Sequence, residues 1–153
     1  MILKCNELFK KWVSNNINLE LLSKCEFKDE LLGGDIIVID DCYYFKSLAP
    51  EMVKFIADKV LIDRTGSECF HNKIHIDDII DSVTPEEQLK CGLYFAYQLA
   101  KKIKATFGQG FNIILSYDEE YCVVRFHKIR INESWLDDNL DNYKMEAVLL
   151  LTT

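Results

Sequence analysis

The sequence predicts an α+β fold: an antiparallel sheet that includes a C-terminal three-stranded unit, packed by one long helix at about residues 84–107 and by shorter N-terminal helices. Three observations carry this. Thr84-Pro85-Glu86-Glu87 spells a helix start, with Thr84 as N-cap, Pro85 at the first helical position and Glu87 completing a capping box. Leu89, Leu93, Ala96, Leu99 or Ala100, Ile103 and Phe107 then recur every three to four residues, laying an apolar stripe down a helix of roughly six turns that Gly108 is expected to stop. Beyond it, Phe111, Ile113, Leu115 and Tyr117 alternate with Asn112, Ile114 and Ser116, which is strand periodicity. The chain of 153 residues is 49% hydrophobic, enough for one core, so residues 1–153 are expected to form a single compact domain.

Taken in order, Cys5 to Val13 places Leu8, Phe9, Trp12 and Val13 at helical spacing with lysines between, a short amphipathic helix ended by Ser14-Asn15-Asn16. Leu19 to Cys25 is too short to assign. Gly33-Gly34 introduces Asp35-Ile36-Ile37-Val38-Ile39-Asp40, whose β-branched residues favour a buried strand, and Asp40-Asp41 closes it before Tyr43-Tyr44-Phe45 continues as a paired strand. Pro50-Glu51 opens a helix expected to reach Lys59, and Val60-Leu61-Ile62 reads as its end or as a brief strand. Asp63 to Asn72 is polar, contains Gly66 and reads as an exposed loop. Lys73 to Asp77 alternates like a strand, while Ile76, Ile79, Ile80 and Val83 fit a helix equally well.

After the long helix and the first clear strand, Asp118-Glu119-Glu120 is a turn and Tyr121 to Ile129 the returning strand, with one covered side expected. Residues 130–143 form a polar connection, and Lys144 to Leu151 is a third strand, apolar enough to be central.

The net charge of −7 is unevenly placed. Residues 29–87 carry fourteen acids against five bases, a net −9, whereas residues 88–117 carry four lysines and no acid. Lys101, Lys102 and Lys104 sit at the end of the long helix, where the macrodipole favours cations. The acidic middle repels nucleic acid and anionic membranes and attracts basic partners. No apolar run of signal-peptide or membrane-span length occurs, which points to the cytoplasm and to reduced cysteines. Those six, Cys5, Cys25, Cys42, Cys69, Cys91 and Cys122, form no CxxC pair and read as small hydrophobes.

Each candidate constellation has a plainer explanation. Glu68, His71 and His75 would share one helical face and could hold a metal, but Gly66-Ser67 and Asn72-Lys73 argue against a helix there, so no metal site is expected. His127 and Cys122 lie on opposite faces of one strand and cannot form a nucleophilic pair within it. The doublets Asp40-Asp41, Asp77-Asp78, Glu119-Glu120 and Asp137-Asp138 point to opposite faces or into solvent, unlike a convergent acid–base pair. No phosphate loop or dinucleotide fingerprint occurs. Neither a catalytic residue nor a cofactor is expected. Trp135, in an acidic loop, is either a core anchor or an interface hot spot.

Acidic segments around Asp35–Asp41, Asp77-Asp78-Ile79-Ile80-Asp81 and Trp135-Leu136-Asp137-Asp138, in a small chain without a chemical signature, resemble the bacterial immunity proteins that neutralise polymorphic or contact-dependent growth-inhibition toxins. The resemblance implies a non-enzymatic inhibitor in a one-to-one complex with a cognate toxin domain, often a basic nuclease. The partner-binding residues would be Asp40, Asp41, Asp77, Asp78, Asp81, Glu133, Trp135, Asp137 and Asp138, with no direct contact to nucleic acid or membrane. The alternative is a small enzyme or ligand-binding domain whose cleft gathers Cys42, His71, His75, Cys122 or His127.

Overall fold

A computed structural model describes residues 1–16, 25–28, 31–51, 54, 56–57, 63–81 and 84–153. The segment Leu19–Cys25, the helix expected at Pro50–Lys59 and the stretch Val60–Ile62 fall largely outside these residues. The elements in order are β1 (Ile2–Cys5), α1 (Glu7–Asn16), β2 (Ile36–Ile39), β3 (Cys42–Phe45), α2 (Arg64–His71), β4 (Ile74–His75), α3 (Ile76–Ile79), α4 (Pro85–Thr106), β5 (Phe111–Tyr117), β6 (Cys122–Lys128) and β7 (Ala147–Thr152). The fold is α+β, as the sequence predicts. A five-stranded antiparallel sheet runs β1-β7-β5-β6-β4, and β2 and β3 form a separate two-stranded ribbon.

The long helix begins where its capping box places it. Thr84 accepts from the Glu87 amide, and its hydroxyl donates back to the Glu87 carboxylate at 2.7 Å. Its last residue, Thr106, lies two residues before the expected glycine: Phe107 is already extended (φ −120°, ψ 143°) and no glycine among the described residues adopts positive φ. Leu89, Phe95, Ala96, Leu99, Ala100 and Ile103 are buried against the sheet. At Gly92 the helix comes so close that an added Cβ would lie 2.3 Å from the Cys122 sulfur, so the missing side chain sets the helix–sheet distance.

The β2–β3 hairpin turns on Asp40 and Asp41, both at positive φ (48° and 66°), the pattern of a two-residue primed turn that short polar side chains tolerate. Its first strand is not buried as expected. Val38 is exposed and the flanking isoleucines are half-buried, because among the described residues β2 pairs only with β3 and lies at the margin of the core, which Ile36 touches. In β3, by contrast, all four residues are buried, and Phe45 packs edge-on against Phe126 of β6.

Three further readings are revised. Asp63–Asn72 is not an exposed loop: Asp63 caps α2, accepting from the Gly66 amide, and Thr65 through Cys69 are all buried. The ambiguous stretch at 73–80 is both things in turn, with β4 pairing with β6 and a single helical turn, α3, following it. A strand at the N-terminus, β1, escaped notice because Ile2 and Leu3 are exposed on the sheet edge. The position of β7 is sharpened and not overturned: it is an interior strand, paired with β1 and β5, and β5 is the middle strand of the five.

Candidate functional site

The register of the sheet sorts its residues onto two faces. Leu151, Ile113 and Phe126 form one cross-strand row, and Leu149, Leu115, Val124 and Ile74 another, both beneath α4. On the opposite face the rows are Lys4, Leu150, Ile114 and Arg125; Ile2, Thr152, Asn112 and His127; and Val148, Ser116, Val123 and His75. Among the described residues, this second face lies away from α4. Its roof is the irregular segment between β6 and β7, fastened by hydrogen bonds: Asn6 donates to the Tyr143 and Glu146 carbonyls, and the Tyr143 hydroxyl accepts from the Asp137 amide. Thus β6 has both faces largely buried, although only one covered side was expected.

The coil roof leaves two hollows. One, about 230 Å³, is lined by Lys4, Asn112, His127, Leu136, Asp138 and Leu150. His127 is buried there and its Nδ1 contacts the Lys128 carbonyl at 2.9 Å, which makes Nδ1 the protonated nitrogen. Burial pushes its pKa below the ordinary histidine value. The second hollow, about 220 Å³, lies toward the other end of the face and includes His75, Ser116, Tyr121 and Arg125.

Trp135 stands beside Arg125 on this face. It is 40% exposed, and the Arg125 guanidinium lies 5.8 Å from its ring centroid, a cation–π contact that limits its freedom. The neighbouring acids are ordered: Asp137 accepts from the Asn139 amide and from Asn142, which hold its carboxyl below the usual range, while Asp138 is exposed.

Another set of polar residues gathers at the edge of β6. Glu68, fully buried on α2, takes both guanidinium nitrogens of Arg130 at 2.8 Å and accepts from the backbone amides of Tyr43 (2.7 Å) and Lys128 (2.8 Å). Burial pushes its carboxyl up, and Arg130 and the two amides oppose that shift. One turn on, Asn72 accepts from the Phe45 amide and donates to the carbonyls of Tyr43 and Phe126. These two side chains bridge β3 and β6 in place of a strand ladder. Asp40, Asp41 and Glu133 are drawn into the same network, through Arg64 (3.1 Å), Lys128 (2.7 Å) and the Thr65 amide (3.0 Å). The hydrogen bond from Lys128 holds Asp41 below the usual carboxylate range.

The remaining acids lie elsewhere. Asp77 and Asp78 sit in α3, which packs on α4 and β6, and Asp81 pairs with Lys28 at 2.8 Å. The nine partner-binding candidates therefore occupy three places: the β6 edge, the roofed face and the α3 corner. The cysteines and histidines are likewise dispersed. Cys42, Cys69 and Cys122 are buried, which pushes their thiols up and away from thiolate chemistry. His71 contacts the Ser67 carbonyl, and among the described residues no group of His, Cys, Asp and Glu is arranged for a metal ion.

Sequence reasoning missed Glu68, Asn72, Arg130 and Arg125. Polar side chains in a glycine-containing stretch look solvated, and only contacts 25 to 60 residues away reveal that Glu68 and Asn72 are buried. For Arg125 a signal existed, since strand alternation already puts it on one face with Val123 and His127. No helix among the described residues is long and apolar enough to cross a membrane. No curated protein and no solved structure matches the chain. Its sequence nevertheless matches a family model from residue 4 to residue 153, and the chain belongs to the Uncharacterized protein PM0498 family.

Proposed function

We propose that this protein is a cytoplasmic immunity protein that binds and neutralises a cognate toxin domain, with the roofed face around Trp135 as its contact surface. The observation that carries the reading is Trp135 itself, an exposed indole steadied by Arg125. Large aromatics that are ordered before binding lose little freedom on association and supply much of the energy of many interfaces. Ile129 and Ile131, exposed near the start of the same segment, add apolar area, and Asp137 and Asp138 supply the acidic rim that a basic partner would meet.

The acids at the β6 edge contribute less to such a rim, because Asp40 and Asp41 already pair within the chain. The reading is tested with the product of the gene immediately upstream. Cells expressing that product should grow only when this protein is present. Trp135→Ala should mainly speed dissociation of the purified complex, and Asp137→Lys with Asp138→Lys should slow association and flatten its salt dependence. Equal growth with and without this protein, together with no complex between the two purified chains, would discard the proposal.

A further inference from the structure

The hollow beside Arg125 has a charge pattern that the packing of this chain does not use. Arg125 is half-buried and offers five N–H donors. Among the described residues its polar contact is a 3.5 Å approach to the Ser116 hydroxyl, and its guanidinium carbon lies 5.8 Å from the Trp135 ring centroid. No carboxylate of the described residues lies within ion-pair distance of it, although Glu146 lines the same hollow. The contrast with Arg130, which has a bidentate carboxylate, is direct. Partly burying a guanidinium with so little hydrogen bonding is unfavourable, and among the described residues the long Ser116 contact, the Trp135 ring and the field of Glu146 offset that only in part.

Lys73 and His75 line the same hollow and likewise have no ion-pair partner among the described residues, while Tyr121 closes one side with its ring against His75. We infer that this hollow is a binding site for a small carboxylate ligand, received by the Arg125 guanidinium edge with Ser116, Lys73 and His75 around it. The planar fork of arginine matches a carboxylate through two parallel hydrogen bonds. Asp118 and Glu146, also in the lining, match the formal charges of Arg125 and Lys73, which disfavours a dianionic phosphate and leaves a monoanion as the better fit. The volume of about 220 Å³ admits a molecule larger than the carboxylate group alone, with the Tyr121 ring available to an apolar tail. The site adjoins the Trp135 surface proposed for a toxin partner, sharing Arg125 with it, but it is read without that partner.

Acetate, benzoate and inorganic phosphate, each titrated at fixed ionic strength into isotope-labelled protein, test the inference through amide chemical shifts. Acetate or benzoate should give saturable shifts at Ser116, Val123 and Arg125. Arg125→Gln should weaken that binding by about tenfold or more, the expected loss of a charge-assisted pair. Lys73→Met, at an exposed position, should weaken it less and keeps the test decisive if the Arg125 variant does not fold. No saturable shift with either carboxylate, unchanged affinity in both variants, or saturation by phosphate alone would each overturn the assignment.

Discussion

The two faces of the one sheet are closed in different ways. Beneath α4 the closure is apolar and interlocked: Leu99, Ile103, Ile113, Leu115 and Phe126 are fully buried, and the helix axis is set by the contact at Gly92. On the other face a coil is tied down by hydrogen bonds that Asn6 donates to it and by the bond from the Asp137 amide to the Tyr143 hydroxyl within it, and it covers the sheet incompletely, leaving the hollows at His127 and Arg125. Hydrophobic packing is non-directional and fills space, whereas a hydrogen-bonded coil fixes points and leaves gaps between them. The difference teaches that side chains filling the core and side chains lining the hollows alternate along the same strands, one residue apart.

Three substitutions or conditions can break or sharpen this contrast. The largest effect is expected at neither face but at the edge that joins them to α2. Arg130→Ala leaves Glu68 buried with its charge uncompensated and should cost about 3–5 kcal/mol in a denaturant titration. A loss under about 1 kcal/mol would mean that Glu68 takes up a proton and that the clamp is dispensable.

Next comes the helix side. Gly92→Ala drives a methyl into the Cys122 sulfur and should destabilise by about 1–3 kcal/mol, with part of the loss recovered by adding Cys122→Ala. Absence of any recovery would show that the helix is positioned by something other than this contact.

The smallest effect belongs to the coil side and depends on pH. The His127 pKa lies below its ordinary value of 6.5 because burial disfavours the charged ring, so the unfolded chain binds the proton more readily than the folded one. The stabilisation is fully present above about pH 6.5 and is lost as pH falls through the folded pKa. Comparing denaturant midpoints at about pH 7.5 and about pH 5.5 should show this loss in the parent and a smaller one in His127→Asn. Equal losses in both proteins would place the acid sensitivity elsewhere.

How much of this was legible beforehand divides along the same line. The helix from Pro85 to Thr106 and the strands β5, β6 and β7 follow from local rules, namely a capping box and periods of 3.6 and 2, and those rules hold where one apolar face meets one core. α2 was not legible, because Thr65, Ser67, Glu68 and Asn72 carry polar side chains that are buried only through partners on β3 and β6. The site was legible in part. Trp135 was singled out as an aromatic in an acidic loop and it is exposed, yet the Arg125 beside it comes from another strand, and no linear pattern connects the two.

The bridge made by Glu68 and Asn72 also governs how the sheet ends. β4 is only two residues long, so past Val123 and Val124 the outer side of β6 would present the Phe126 carbonyl and the Lys128 amide to any incoming strand. Asn72 occupies the first and Glu68 the second. That flank is thereby shielded against edge-to-edge self-association by side chains instead of by another strand. The opposite flank is β1, where Ile2 and Leu3 are exposed, and there the sheet offers an incoming strand an apolar edge without such a shield.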